Sequence, residues 1–163
     1  MAVTNASFID KYKLTLTDFN ATELTAYINR YETITLIELL GKELYDLYVA
    51  GLTGGDPIYE FLRDPFNVQL DSGQILNSRG VDDIILGVVY FYWSRDIETQ
   101  RTSNGSVQKK GENSEVASQF KANVQSRWNE AIKTYQDIQC YILDNSDVYP
   151  TFEGYAKEIM PMF

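Results

Sequence analysis

The sequence contains no histidine and a single cysteine, Cys140. Without histidine there is no Ser–His–Asp triad, no Cys–His nucleophile and no imidazole base, which weighs strongly against most classes of hydrolase. One cysteine cannot form a disulfide within the chain, and without histidine a zinc site is nearly ruled out. Cys140 lies in a stretch of apolar periodicity, so we expect it to be a small buried side chain.

Basic residues are also scarce, because 14 lysines and arginines stand against 23 acidic residues and the formal net charge is −9. Binding nucleic acid by phosphate neutralisation needs a basic face, so this balance argues against that class of protein. The first residues, MAVTNASFIDKYK, lack the charged start and long apolar run of a signal peptide. We therefore expect synthesis in the cytoplasm.

Long apolar runs are missing, and the longest occupies residues 84–93, where Gly87 interrupts nine apolar side chains. Ten helical residues rise about 15 Å, which is half of the ~30 Å hydrocarbon core of a bilayer. A helix apolar on all sides is buried in protein if it does not span a membrane. The segment therefore predicts a buried central helix over 81–100 around which the rest of the chain folds.

Apolar periodicity predicts further helices on both sides of the central one. Asn20 or Thr22 can cap a helix that continues to Leu40, and Gly41 suits the left-handed position at its end. A second helix is predicted over Lys42–Ala50. A long C-terminal helix is predicted over 114–143 from one stripe of side chains at spacings of three and four: Phe120, Val124, Trp128, Ala131, Tyr135, Ile138 and Ile142.

Shorter elements are predicted from turn residues and from alternation. Residues 51–57 form a turn cluster, and Pro57 starts a short helix that Pro65 ends. Alternating apolar residues predict a β-hairpin over 66–77 and a short strand over Tyr12–Leu16. The predicted fold is therefore mainly α: a helical domain over 1–143, with the hairpin and an extended C-terminal arm over 144–163.

Catalytic signatures are weak throughout the chain. The glycine run at 51–57 lacks the lysine and the strand–turn–helix setting of a phosphate-binding loop. Asp82 and Asp83 are adjacent and project to different faces of a helix, whereas Glu32 and Glu38 can share a face that we expect to be solvated. We predict no catalytic residue, no metal site and no cofactor.

Three stretches of the sequence are similar to one family. They are AYINRYETITLIELLGKELYDLY, the glycine-led apolar segment GVDDIILGVVYFYWSRD, and RTSNGSVQKKGENSEVAS followed by a long helix; a tyrosine-proline pair and a tail close the chain. In these features the chain resembles the head–tail connector (adaptor or head-completion) proteins of tailed bacteriophages, particularly of the type found in phages of Bacteroides-like gut bacteria.

The resemblance implies a structural protein of the virion neck and not an enzyme. Its expected partners are other copies of itself in a ring, typically of twelve subunits, together with the portal protein and the next tail protein. DNA would pass through the channel without specific binding, and no membrane would be involved. A closed ring needs two unlike contact surfaces on each subunit.

Two segments are candidates for these contacts. The polar segment 101–113 is longer than a usual helix–helix connection, and we expect either a flexible linker or a loop that orders against the portal or a neighbouring subunit. Its candidate interface residues are Arg101, Thr102, Asn104, Val107, Lys109, Lys110 and Asn113. The arm either folds back over its own domain or docks on a neighbour, through Tyr149, Phe152, Tyr155, Ile159, Met160, Met162 and Phe163.

Two other functions stay open at this point. The chain can be a cytoplasmic phage-encoded adaptor that binds a host or phage protein through its loop or arm. It can also be an enzyme with an acidic site that carries no recognisable motif.

Overall fold

The computed structural model describes residues 3–12, 20–102, 105–108 and 114–152. This part of the chain is mainly helical, as predicted, and carries two small antiparallel hairpins. The helices are α1 (Asn5–Tyr12), α2 (Ala21–Leu40), α3 (Lys42–Gly54), α4 (Pro57–Arg63), α5 (Val81–Glu98) and α6 (Ser114–Asp144). The strands are β1 (Phe66–Gln69), β2 (Ile75–Ser78), β3 (Thr99–Thr102) and β4 (Gly105–Gln108).

Helix α5 is the centre of the fold, and its side chains from Ile84 to Tyr90 are buried around its whole circumference. It packs mainly against α6 and α2. Gly87 lies where α5 and α6 come closest, since a Cβ added there would be only 2.5 Å from the Cβ of Ala131. One turn further along α5, Phe91 contacts Trp128. The two helices therefore run antiparallel, and the predicted buried central helix is confirmed.

The junction between α2 and α3 follows the predicted capping residues. The side chain of Asn20 accepts a hydrogen bond from the N–H of Thr22 and caps α2. Gly41 has a φ of 78°, a value that favours glycine, although its ψ of 160° is outside the left-handed helical region. Helix α3 continues through Gly51 to Gly54, so the predicted turn cluster is helical in its first part. Tertiary packing explains this, because Tyr59 covers Gly51.

Helix α4 and the first hairpin are as predicted. Asp56 caps α4 through the N–H of Ile58, and Pro57 occupies the first helical position. In the hairpin, Val68 pairs with Leu76 across the strands. Phe66 and Leu76 are buried on the face turned to the protein, and β2 packs against α6. The hairpin is thus held by the helical body, as a two-stranded sheet of this length requires.

The predicted strand over Tyr12–Leu16 is wrong at Tyr12, which is the last residue of α1 and is buried. Phe8 and Tyr12 are one helical turn apart, with ring centroids 5.7 Å from each other, and Tyr12 also contacts Tyr90 of α5 at 4.5 Å. The burial of both rings at helical spacing stabilises a helix, and this outweighs the preference for a strand that the short alternation of apolar residues indicates. Residues 13–16 lie outside the described residues.

The second hairpin occupies part of the segment that was predicted as a mobile loop. Strands β3 and β4 pair antiparallel, with Arg101 opposite Ser106 and Thr102 opposite Gly105. The segment lacks apolar alternation, so periodicity did not reveal these strands. The sequence carries a partial signal in Asn104 and Gly105, since both residue types favour turns, although Gly105 is itself the first residue of β4.

Helix α6 confirms the long C-terminal helix and its apolar stripe. Val124, Ala131, Tyr135, Ile138 and Ile142 are buried. The hydroxyl of Tyr135 donates a 2.8 Å hydrogen bond to the carbonyl of Glu38 and ties α6 to α2. Within the described residues no helix has the length and apolarity needed to cross a membrane.

Candidate functional site

A group of half-buried aromatic side chains lies where α5 leaves the core. Three helices contribute to this group, which we call the aromatic surface: Tyr27 and Tyr31 of α2, Phe91 and Tyr92 of α5, and Trp128 of α6. Large aromatic side chains that keep part of their area exposed are typical of the centre of protein–protein contacts.

The rings of the aromatic surface stack in one continuous row. Tyr31 and Tyr92 are parallel within 1° at a centroid distance of 4.3 Å. Trp128 meets Tyr92 edge-on at 6.3 Å and Phe91 at 4.5 Å. Such pairs contribute about 0.5–1.5 kcal/mol each beyond the area they bury. The row is therefore preorganised, and little side-chain entropy would be lost if a partner covered it.

Charged groups surround the aromatic surface. The Tyr27 hydroxyl donates a 2.8 Å hydrogen bond to the Asp96 carboxylate. Burial, this hydrogen bond and the negative charge of Asp96 together raise the pKa of Tyr27 to about 12. The guanidinium of Arg95 lies 4.9 Å from the centre of the Tyr92 ring, and that of Arg30 lies 5.3 Å from the Tyr31 ring. Arginine and tyrosine side by side are the residue types most common at binding hot spots.

The predicted interface loop is joined directly to this surface, because β3 follows α5 without a break. Arg101 and Thr102 lie in β3 and Val107 lies in β4, opposite Gln100. Asn104, Lys109, Lys110 and Asn113 lie outside the described residues. The structure thus brings three of the predicted residues into one hairpin, which starts seven residues after Tyr92 of the aromatic surface.

Exposed aliphatic side chains are found near the C-terminal end of α6, in the segment that follows it and in α4. Leu143 and Val148 are 53% and 41% exposed, and Ile58 of α4 is 43% exposed. Tyr149 links the segment after α6 to α4, since its hydroxyl donates a 3.2 Å hydrogen bond to the carbonyl of Ile58. We call Ile58, Leu143 and Val148 the aliphatic surface.

The predicted C-terminal arm is described as far as Phe152. Tyr149 is only 2% exposed and contacts the rings of Tyr59 and Tyr141 edge-on, and Phe152 packs against the same core. The first part of the arm therefore folds back on its own domain, which was one of the two alternatives. Tyr155, Ile159, Met160, Met162 and Phe163 lie outside the described residues.

The sequence does not identify the aromatic surface as a site, because the apolar patterns that contain its members predict core residues. The signal was present in part, since Tyr27 and Tyr31 are one turn apart on α2. Their stacking on α5 and α6 depends on how the helices pack. Among the described residues no group of three or more acidic or cysteine side chains is placed to hold a metal ion.

Comparison of the chain with protein-family models, with curated proteins and with solved structures finds no match in any of the three.

Proposed function

We propose that this protein is a structural subunit of the neck of a tailed bacteriophage, a head-to-tail connector that forms a ring below the portal. In this role it extends the DNA channel and docks the next tail protein. The observation that carries the proposal is the presence of two unlike sets of at least partly exposed apolar side chains, one aromatic at the middle of α6 and one aliphatic near its C-terminal end.

Two unlike surfaces are what a ring requires. A closed ring of identical subunits uses heterologous contacts, in which one patch meets a different patch on the next copy. Trp128 and Leu143 are fifteen residues apart on α6, which is about 22 Å along a helix. Contacts of the aromatic surface with the aliphatic surface of the next copy would propagate around a ring, whereas a symmetric dimer needs a self-complementary patch.

The charge of the chain is compatible with a DNA channel. A net charge of −9 offers phosphates little counter-charge, so DNA would pass without being retained. The β3–β4 hairpin follows the end of α5, and we infer that it is a candidate contact with the portal or a neighbouring subunit. The expected partners are thus other copies of this chain, the portal and the next tail protein.

Complementary variants test the proposal. Tyr92→Ser alters only the aromatic surface and Leu143→Ser alters only the aliphatic surface. We expect rings for the original protein, alone or on the portal, and no rings for either variant in negative-stain microscopy. Because each variant retains one intact surface, mixing the two should give heterodimers that grow no further in sedimentation velocity. Tyr45→Ser, at a half-buried tyrosine outside both surfaces, is the control and should still form rings.

Other outcomes would separate the alternatives. Monomers in every condition, including with the portal, would contradict the connector. A one-to-one complex with another protein and no self-assembly would favour the adaptor. Circular dichroism of each variant must show the helical content of the original protein, so that a loss of rings reports the surface and not the fold.

A further inference from the structure

A cleft with a volume of about 510 Å³ lies between α2, α3, α4 and the first turn of α5. Its polar residues include Glu32, Arg63 and Asp82, and its apolar wall includes Leu36 and Ile85. Tyr48 also lines it. The cleft is separate from the aromatic surface, because Glu32 is rotated about 100° around α2 from its neighbour Tyr31.

Glu32 is the unusual residue of the cleft. The residue is only 8% exposed, and the Oε2 atom of its carboxylate is buried without a hydrogen-bond partner. The expectation of a solvated face for this carboxylate is therefore wrong. Burial raises the pKa of Glu32. A buried carboxylate oxygen without a partner is costly to the fold, and a functional role in binding is one of the explanations for such a group.

Asp82 adds a second carboxylate to the same cleft. Burial raises the pKa of Asp82 to about 6. The positive charge of Arg63 opposes this rise, and the negative charges of Asp64 and Glu32 add to it. Arg63 acts on Asp82 through its charge, but its closest ionic contacts are with other carboxylates: its Nε donates to Asp64 at 2.9 Å and another of its nitrogens is 4.0 Å from Glu60. At neutral pH the cleft thus carries negative charge. Its arginine is shared with Glu60 of α4 and with Asp64, the C-cap residue of α4.

We propose that this cleft binds a primary alkylammonium group, the chemistry shared by a lysine side chain and by a free aliphatic diamine. An ammonium has three N–H donors, and Glu32 and Asp82 supply carboxylate acceptors for them. The apolar wall formed with Leu36 and Ile85 suits an aliphatic stem. Tyr48 adds an aromatic side chain of the kind that attracts cations.

An ammonium fits this cleft better than a hard metal ion does. Calcium takes six to eight oxygen ligands, and magnesium requires a near-ideal octahedron of oxygens. The cleft instead combines two carboxylates with aliphatic side chains. The proposal does not rest on the connector function, since none of the residues of either interaction surface lines the cleft.

The test is a titration of the ¹⁵N-labelled full chain at neutral pH, followed by NMR shifts of residues around the cleft. The probes are Nα-acetyl-lysine-N-methylamide, its neutral norleucine counterpart and 1,5-diaminopentane. We expect saturable millimolar binding of at least one amine, and about tenfold weaker binding of the norleucine compound because it lacks the charge-assisted hydrogen bonds. Tighter binding of the capped lysine identifies a protein side chain as the source, and tighter binding of the diamine identifies a free amine.

Two substitutions and one control locate the site. Glu32→Gln and Asp82→Asn remove one charge each without changing shape, and each should weaken the bound amine about tenfold. Glu43→Gln removes the same charge from an exposed position of α3 outside the cleft and should leave binding unchanged. The proposal is overturned by absence of saturable binding of either amine, by equal binding of the norleucine compound, or by a Glu43→Gln effect as large as the other two.

Discussion

At the scale of single residues, Gly87 shows how closely the two central helices approach. The added Cβ would meet Ala131 at 2.5 Å and the hydroxyl of Tyr12 at 3.6 Å. We predict that Gly87→Ala lowers the free energy of unfolding by about 1–3 kcal/mol, because overpacking there forces α5 and α6 apart. Urea unfolding measures the change. Combining it with Ala131→Gly should recover part of the loss, as coupled neighbours do.

Gly54 is the matched control for this substitution. It is also a helical glycine, but a Cβ there meets nothing within 4 Å. Alanine is the better helix former, so Gly54→Ala should be neutral or stabilising by up to about 1 kcal/mol. Equal losses at Gly87 and Gly54 would show that steric crowding between α5 and α6 is not the cause.

Asp82 predicts a dependence of stability on pH. Its folded pKa of about 6 lies above the ordinary value of 3.8, so between these values the folded state binds more protons than the unfolded state. The contribution of Asp82 to the free energy of unfolding therefore falls as pH rises through this window. At pH 7, Asp82→Asn should stabilise the protein by about 1–2 kcal/mol, and the gain should shrink towards pH 4.

Urea unfolding at both pH values measures this difference, and Asp71→Asn in the exposed turn of the first hairpin serves as its control. A gain for Asp82→Asn that does not change with pH would contradict ionisation of the buried carboxylate as its cause. Asp82 is also one of the two carboxylates expected to hold the ammonium, so this residue would lower the stability of the fold and contribute to binding.

At the scale of elements, the first hairpin offers two adjacent aliphatic residues with opposite environments. Leu76 is fully buried against the helical body, whereas Ile75 is 66% exposed. Leu76→Ala should cost about 2–5 kcal/mol, because it leaves a cavity in the core. Ile75→Ala should change stability by no more than about 0.5 kcal/mol. Thermal and urea unfolding compare the two, and equal effects would mean that the hairpin is not a part of the cooperative core.

At the scale of the whole molecule, the net charge of −9 opposes association of identical copies. Salt screens this repulsion, since the Debye length falls from about 10 Å at 0.1 M to about 3 Å at 1 M. Because the proposed contacts are apolar, we predict that self-association strengthens between these salt concentrations. Sedimentation velocity measures it. Tyr92→Ser should stay unassociated at both, and weaker association of the original protein at high salt would point to ionic contacts instead.

The sequence by itself determined most of the helices and one hairpin. Apolar periodicity, the cap at Asn20 and Pro57 at the start of α4 act over a few residues, so their outcome does not depend on the rest of the fold. The same locality explains the errors. A short alternation predicts a strand at Tyr12, whereas the position of Tyr12 depends on its contacts with Phe8 and with Tyr90, which is distant in the sequence.

Only the tertiary structure decided where the candidate sites are. Glu32 and its neighbour Tyr31 look alike in the sequence as members of an amphipathic helix, and the packing of α3 and α5 against α2 buries the carboxylate and stacks the tyrosine on Tyr92. The physical reason is that burial and stacking are set by other elements of the chain, from α3, which begins ten positions after Glu32, to Tyr92, which is 61 positions after Tyr31. The local pattern determines which element forms, and the packing of elements determines which side chains are left for a partner.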